Sequence, residues 1–133
     1  ALGAEGVQMG TRMVSAAESP VHQNWKDMII GAKETDTVFL NRHGPGPALR
    51  ALRTEKTTAF ELNPPPNIMG EFGNALALYF GGDMEAAIAL SGQVAGRIDA
   101  VKPVAQIIRE TVEEFEAVTA QLGAKYGKVG EPA

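Results

Sequence analysis

The sequence predicts an α/β chain that is mostly helical and reads as the closing part of a larger fold. Three observations carry this. A short apolar run, Gly6-Val7-Gln8-Met9-Gly10, has the length of a buried strand and ends in a Gly10-Thr11 turn. Only six residues precede Val7, too few to supply the neighbours that a parallel strand reaches through crossover helices. Beyond Pro64-Pro65-Pro66, apolar residues recur at three- and four-residue spacing, the period of a helix. The absence of Met at Ala1 fits an internal start.

Each element follows from local chemistry. After the first strand, Ser19 as N-cap and Pro20 at the first helical position predict a helix, with Val21, Trp25, Met28, Ile29 and Ala32 on its apolar face. Gly31 or its successors stop it. Thr35 to Leu40 is β-branched and apolar, which predicts a strand. Gly44-Pro45-Gly46-Pro47 breaks the chain, and Pro47 opens a short helix through Arg53 that turns Leu49 and Leu52 inward. A loop follows. Asn63-Pro64-Pro65-Pro66 reads as extended polyproline and is the best internal boundary.

Three helices are expected beyond it. The first carries Met69, Phe72, Leu76, Tyr79 and Phe80 and ends at Gly81-Gly82. Asp83 caps the second, which runs to about Arg97 with Met84, Ala87, Ile88, Val94 and Ile98 facing a core. Its Gly92 and Gly96 leave room for the close approach of another backbone. The third begins near Pro103, has the stripe Val104, Ile107, Ile108, Val112, Phe115, Val118 and Leu122, and stops at Gly123. Arg109, Glu110, Glu113, Glu114 and Glu116 fall mainly on its wet side. The tail from Lys125 to Ala133 reads as mobile.

Composition narrows the function. At 133 residues, 44% hydrophobic and 21% charged, the chain suits one soluble core. A net charge of -4, with no Lys/Arg cluster against it, argues against nucleic acid or an anionic membrane as partner. No cysteine is present, so disulfides, thiolate metal sites and a Cys nucleophile are excluded together. No run reaches the roughly 18 apolar residues of a membrane span, no signal peptide is legible, and a cytoplasmic location is expected.

The most informative chemistry lies at Gly6 to Thr11. A strand that ends in a Gly-Thr turn can close backbone N–H groups on a phosphate. The P-loop Lys and the Gly-x-Gly pair of dinucleotide sites are both missing, which leaves a mononucleotide phosphate as the ligand to expect. His22 reads as an exposed, locally hydrogen-bonded residue near a helix start, and His43 as a solvated loop histidine. Glu18, Asp36 and Glu61 form no metal-ligand spacing with them, and no metal is expected. No Gly-x-Ser-x-Gly elbow anchors a hydrolase triad.

Taken in order, Gly3-Ala4-Glu5-Gly6-Val7-Gln8-Met9-Gly10-Thr11-Arg12, Glu18-Ser19 with His22 and Trp25-Lys26, and later Gly92-Gln93-Val94-Ala95-Gly96 resemble the C-terminal part of the nitronate monooxygenase family. That family was formerly called the 2-nitropropane dioxygenases, and it includes FMN-dependent enoyl-acyl carrier protein reductases. The resemblance spans about the first 30 residues and residues 69–118. It implies a TIM barrel with a small domain inserted near its C-terminal end. This chain would then be a C-terminal barrel fragment: residues 1–17 the last strand and phosphate loop, 18–66 a small-domain segment, 67–122 closing helices, and 123–133 a flexible tail.

By the same resemblance Gln8, Met9, Gly10 and Thr11 hold the FMN phosphate, in keeping with the phosphate position common to TIM barrels. The catalytic His and the other flavin contacts would lie before Ala1, so no catalytic role passes to His22 or His43. Met13 stands where the family usually has an aromatic residue. The implied activity of the full-length protein is oxidation of alkyl nitronates by O₂, with enoyl-acyl carrier protein reduction as the alternative. Its partners would be a small-molecule substrate and the preceding part of the barrel, with homo-oligomerisation left open. From the residues alone, a non-catalytic helical module that binds a partner chain through the Gly92/Gly96 face and exposed apolar stripes also stays open.

Overall fold

The computed structural model describes residues 3–127. At its centre β1 (Thr37–Leu40) pairs antiparallel with β2 (Leu49–Leu52), Val38 opposite Ala51 and Phe39 opposite Arg50. The strand expected between Thr35 and Leu40 therefore forms, but the helix expected from Pro47 to Arg53 does not. Its place is taken by β2, because four residues gain more from pairing with β1 than from an isolated helical turn.

β2 has a second neighbour. Leu52 N–H donates to Ala89 O at 2.9 Å, Ser91 N–H donates to Arg50 O at 3.1 Å, and Ala51 bridges Leu90. These bonds overturn the helix expected over residues 83–97. The run Ala86 to Leu90 is apolar on all sides, and such a run does not by itself distinguish a buried helix from a buried strand. Its residues alternate between two cores. Ala87 and Ala89 join Leu52, Trp25, Ile29 and Leu78, whereas Ile88 joins Ala51, Val38, Leu40 and Ile68 on the other face. Asp83 does cap, its carboxylate accepting from Glu85 N–H at 3.0 Å, but what it caps is a turn.

Helix α1 (Thr11–Val14) is a single turn, and α2 (Gln23–Gly31) stops at Gly31 as expected. The cap of α2 is His22 and not Ser19: its Nδ1 accepts from Asn24 N–H at 3.1 Å. Ser19 instead lends its carbonyl to the buried Lys26 ammonium at 2.8 Å. Trp25 then meets the edge of Tyr79 with ring centres 4.9 Å apart. Helix α3 (Glu55–Leu62) occupies what reads as a loop. Its signal is a capping box in which Thr54 and Thr57 each accept from the other's N–H.

Past the prolines, the single expected helix is a 3₁₀ turn, Ile68–Phe72, followed by α4 (Ala75–Tyr79). Gly70 and Gly73 interrupt the helical run, so Leu78 is buried while Leu76 is exposed. Gly82, at φ +72°, ends it as anticipated. Another 3₁₀ turn, Gln93–Arg97, precedes α5 (Val104–Tyr126). Helix α5 starts where expected but runs through Gly123, which leaves its backbone bonds intact. Of its apolar stripe Ile107 is buried, whereas Ile108, Val112, Phe115, Val118 and Leu122 are exposed. Periodicity marks an apolar face without saying what covers it.

Two further expectations change. Residues 6–9 form no strand, and Val7 is 76% exposed, because no described segment runs alongside to take its ladder bonds. The expected mobile tail falls outside the described residues from 128 on, while Lys125 and Tyr126 belong to α5. Among the described residues no helix is long and apolar enough to cross a membrane.

Candidate functional site

Gln8, Met9, Gly10 and Thr11 all line one open cleft of about 840 Å³, together with Gly92, Arg97, Lys102 and Glu110. The fold thus brings together all four residues expected to contact a phosphate. The reason is local. Gly10 ends the irregular segment and is the N-cap of α1, and it offers no side chain to the first N–H groups of that helix. The first N–H groups of any helix lack intrahelical acceptors, and here backbone bonding begins at Met13 N–H on Gly10 O, 2.9 Å. With four residues α1 carries little macrodipole, so any attraction for an anion is that of individual N–H donors.

Gly10 has ordinary right-handed backbone angles, φ -97° and ψ -74°, so conformation does not require glycine there. What glycine provides is space. A Cβ at Gly10 would meet no protein atom within 4 Å. That side of Gly10 is open, as it also is at Gly3, Gly6, Gly31 and Gly123, so the backbone there is accessible to a ligand.

Thr11 is held tightly. It is 8% exposed, and its hydroxyl accepts from Gly92 N–H at 2.8 Å, which leaves the hydroxyl proton to donate. Gly92 in turn is close to Thr11, a Cβ there falling 3.4 Å from the hydroxyl oxygen. Gly96 packs on the backbone of Glu34, which a Cβ would meet at 2.5 Å. The small-residue patch read from the sequence is therefore consumed by packing within this chain.

A second set of bonds ties the loop after α1 to the start of α5. The Arg12 guanidinium donates to Ala100 O at 2.7 Å, Ala17 N–H donates to Lys102 O at 3.0 Å, and Glu18 accepts from Val104 N–H at 2.9 Å. Pro103 has no side chain able to cap α5, and Glu18 does so from the far end of the sequence. Across the cleft the Lys102 ammonium, at 2.8 Å, and the Gln106 amide, at 2.7 Å, hold the Glu110 carboxyl below the usual carboxylate range.

Sequence reading missed Gly92, Arg97, Lys102 and Glu110 as cleft residues. No short-range signal could find them, since Thr11 and Gly92 are 81 positions apart. His22 and His43 are not in the cleft lining. His22 is the cap of α2, and His43 lines a separate pocket near β1.

A family model described as nitronate monooxygenase matches residues 1–114. Over 40 residues the chain is 55% identical to a probable nitronate monooxygenase of Staphylococcus saprophyticus, a stretch covering 30% of this chain and 11% of that relative. A probable nitronate monooxygenase of Staphylococcus aureus strain Newman is 53% identical over 38 residues, 29% of this chain and 11% of the relative. Among solved structures, FabK from Thermotoga maritima superposes with a TM-score of 0.82 at 36% identity, over 92% of this chain and 40% of that one. A point mutant of the same FabK gives 0.78 at 36% identity, over 92% and 38%. The chain thus spans about two fifths of the FabK length.

Proposed function

The chain belongs to the nitronate monooxygenase family, and from that premise we propose that the full-length protein is an FMN-dependent oxidoreductase that oxidises alkyl nitronates with O₂. The observation that carries this reading is the pairing of open space at Gly10 with a locked Thr11 hydroxyl at the mouth of one cleft. When bound, FMN supplies a ring that passes electrons between substrate and oxygen.

This chain's residues would do the holding. The N–H groups at Gly10, Thr11 and Arg12 and the Thr11 hydroxyl donate to the phosphate, with Gln8 and Met9 alongside. The bond from Gly92 fixes the Thr11 rotamer before any ligand arrives, which removes part of the ordering cost of binding. In this reading residues 6–9, which form no strand on their own, would become the last strand of a TIM barrel only beside the preceding part of that barrel, and the exposed stripe of α5 packs on the barrel exterior. The catalytic groups lie outside the chain, and the location is cytoplasmic.

The test is flavin content and nitronate-dependent oxygen uptake of the full-length protein reconstituted with FMN. Both are expected. Flavin retention without uptake, together with NAD(P)H-dependent reduction of an enoyl thioester, would move the protein to the enoyl-acyl carrier protein reductase branch. Absence of flavin would remove both readings. For the non-catalytic module, Gly96 packs on the backbone of Glu34 and Gly92 lies against Thr11, while the apolar stripe of α5 that the module would also use is exposed.

A further inference from the structure

The turn between β1 and β2 carries a second pocket, of about 410 Å³, that shares no lining residue with the α1 cleft. It is lined by Phe39, Asn41, Arg42, His43, Phe60 and Glu61, among others. We propose that it binds a mononucleotide, with Arg42 and His43 on the phosphate and the Phe39/Phe60 walls against the base. This does not rest on the flavin reading.

The charge is the first argument. The chain as a whole is acidic, at -4. In the pocket, however, the one carboxylate among the lining residues, Glu61, is engaged by Arg53 at 3.0 Å. Among the described residues Arg42 has no ion-pair partner, and neither has Arg50. Both guanidinium groups lie against the Phe39 ring, at 5.1 and 5.3 Å from its centre. Arg50 also donates to the Thr37 hydroxyl, whereas Arg42 keeps its planar fork of donors free for an oxyanion. His43 adds a ring N–H donor.

Shape is the second. The volume lies within the roughly 300–1,000 Å³ of small-molecule sites. Phe39 and Phe60 line the pocket with cations already against their rings, Arg42 and Arg50 on Phe39 and the Lys56 ammonium 5.9 Å from the centre of Phe60. A planar base would have to join these cation–π contacts, whereas an inorganic anion would not use the rings.

Preorganisation is the third. Asn41 is buried yet sits at φ +58°, in the left-handed region that a non-glycine residue adopts at a cost. Its side-chain amide donates to Pro45 O and Pro47 O, each at 3.0 Å, and so staples the loop closed. A Cβ at Gly44 would collide with that same amide. The Gly44-Pro45-Gly46-Pro47 segment is therefore a held loop, and it presents Arg42 and His43 from a fixed turn.

The experiment is calorimetric titration of AMP into the full-length protein loaded with FMN and then desalted, so that the α1 cleft is filled and no free FMN, itself a mononucleotide, competes for the second pocket. Adenosine and inorganic phosphate serve as comparison ligands. Saturable AMP binding is expected, tighter than either part alone. Arg42→Ala and His43→Ala should each weaken it about tenfold, the loss of one charge-assisted bond. Arg42→Lys should fall between, because the charge stays and the fork is lost. Thermal midpoints of both alanine variants should match the parent, since these side chains are not buried. No AMP binding to the desalted protein, native affinity in both alanine variants, or inorganic phosphate binding as tightly as AMP would each overturn the proposal.

Discussion

Helix α1 and helix α3 begin in opposite ways. At α3, Thr54 and Thr57 exchange capping bonds, and the Glu85 carboxylate accepts from Glu55 N–H at 3.0 Å and Lys56 N–H at 2.8 Å. Every early donor there is matched by protein. At α1, Gly10 supplies no cap, and the space in front of the helix is open to a cleft. The chain that matches the early donors of α3 so fully, and supplies Val104 N–H of α5 from Glu18, leaves the start of α1, like that of α4, without a side-chain cap, here beside a buried, oriented hydroxyl. The difference separates a helix end whose donors are matched within the protein from one that faces an open cleft.

The sharpest way to break this comparison is Gly10→Val in the full-length protein. A branched side chain would occupy the open space at Gly10, and flavin retention after desalting should drop by at least about tenfold. The thermal midpoint without flavin should stay near the parent value, because a Cβ there touches no protein atom. His22→Ala, which removes the cap of α2, should leave turnover nearly intact. Loss of activity in that variant with unchanged flavin in Gly10→Val would reverse the site assignment.

Thr11→Val joins the two regions' roles in one residue. It removes the acceptor for Gly92 N–H and leaves a part-buried donor unpaired, a cost of about 1–3 kcal/mol. Denaturant unfolding should show that loss, and flavin should bind more weakly as well. A variant with parental stability would mean that the Thr11–Gly92 bond does not hold the cleft together.

Glu85→Ala addresses the closed end. It uncovers two exposed N–H groups that water can reach, so the loss should be about 1 kcal/mol, with flavin retention unchanged. Lower flavin content in this variant would erase the distinction between the two helix starts.

The smallest effect concerns pH. Because Lys102 and Gln106 lower the Glu110 pKa in the folded chain, its stabilising contribution is present above the ordinary Glu pKa. It is lost as pH falls through the depressed folded value. Lys102→Met should raise the Glu110 titration toward the ordinary range in a carboxyl-resolved NMR experiment, with little change in stability for so exposed a pair. An unmoved titration would show that Lys102 is not the cause.

Local chemistry alone determined a good part of this protein. The turn at Gly10-Thr11, the stop at Gly31 and the break at Gly81-Gly82 depend on residues within one helical turn of each other. The strand at Thr37–Leu40 and the start of α5 are signalled that locally, although distant partners complete them. The family resemblance was legible for a related reason, since the Gly3 to Arg12 block that carries it is consecutive in the sequence. Where local signals were weak or evenly balanced, distant partners decided. Ala86 to Leu90 was apolar enough for either period and became a strand-like neighbour of β2 because Leu52 and Arg50 offered free backbone bonds. Leu49 to Leu52 became a strand because β1 lay beside it.

The cleft shows the same division. Gln8 to Thr11 could be read from sequence, but Gly92 as the partner of Thr11 and Glu18 as the cap of α5 could not, because neither bond leaves a trace in local spacing. The stripe of α5 could be read as apolar, yet whether it is covered depends on which surfaces lie opposite, and the described chain buries only Ile107 of it. Hydrogen bonds between neighbours are written in sequence order, whereas burial and long-range pairing exist only after the chain has folded back on itself.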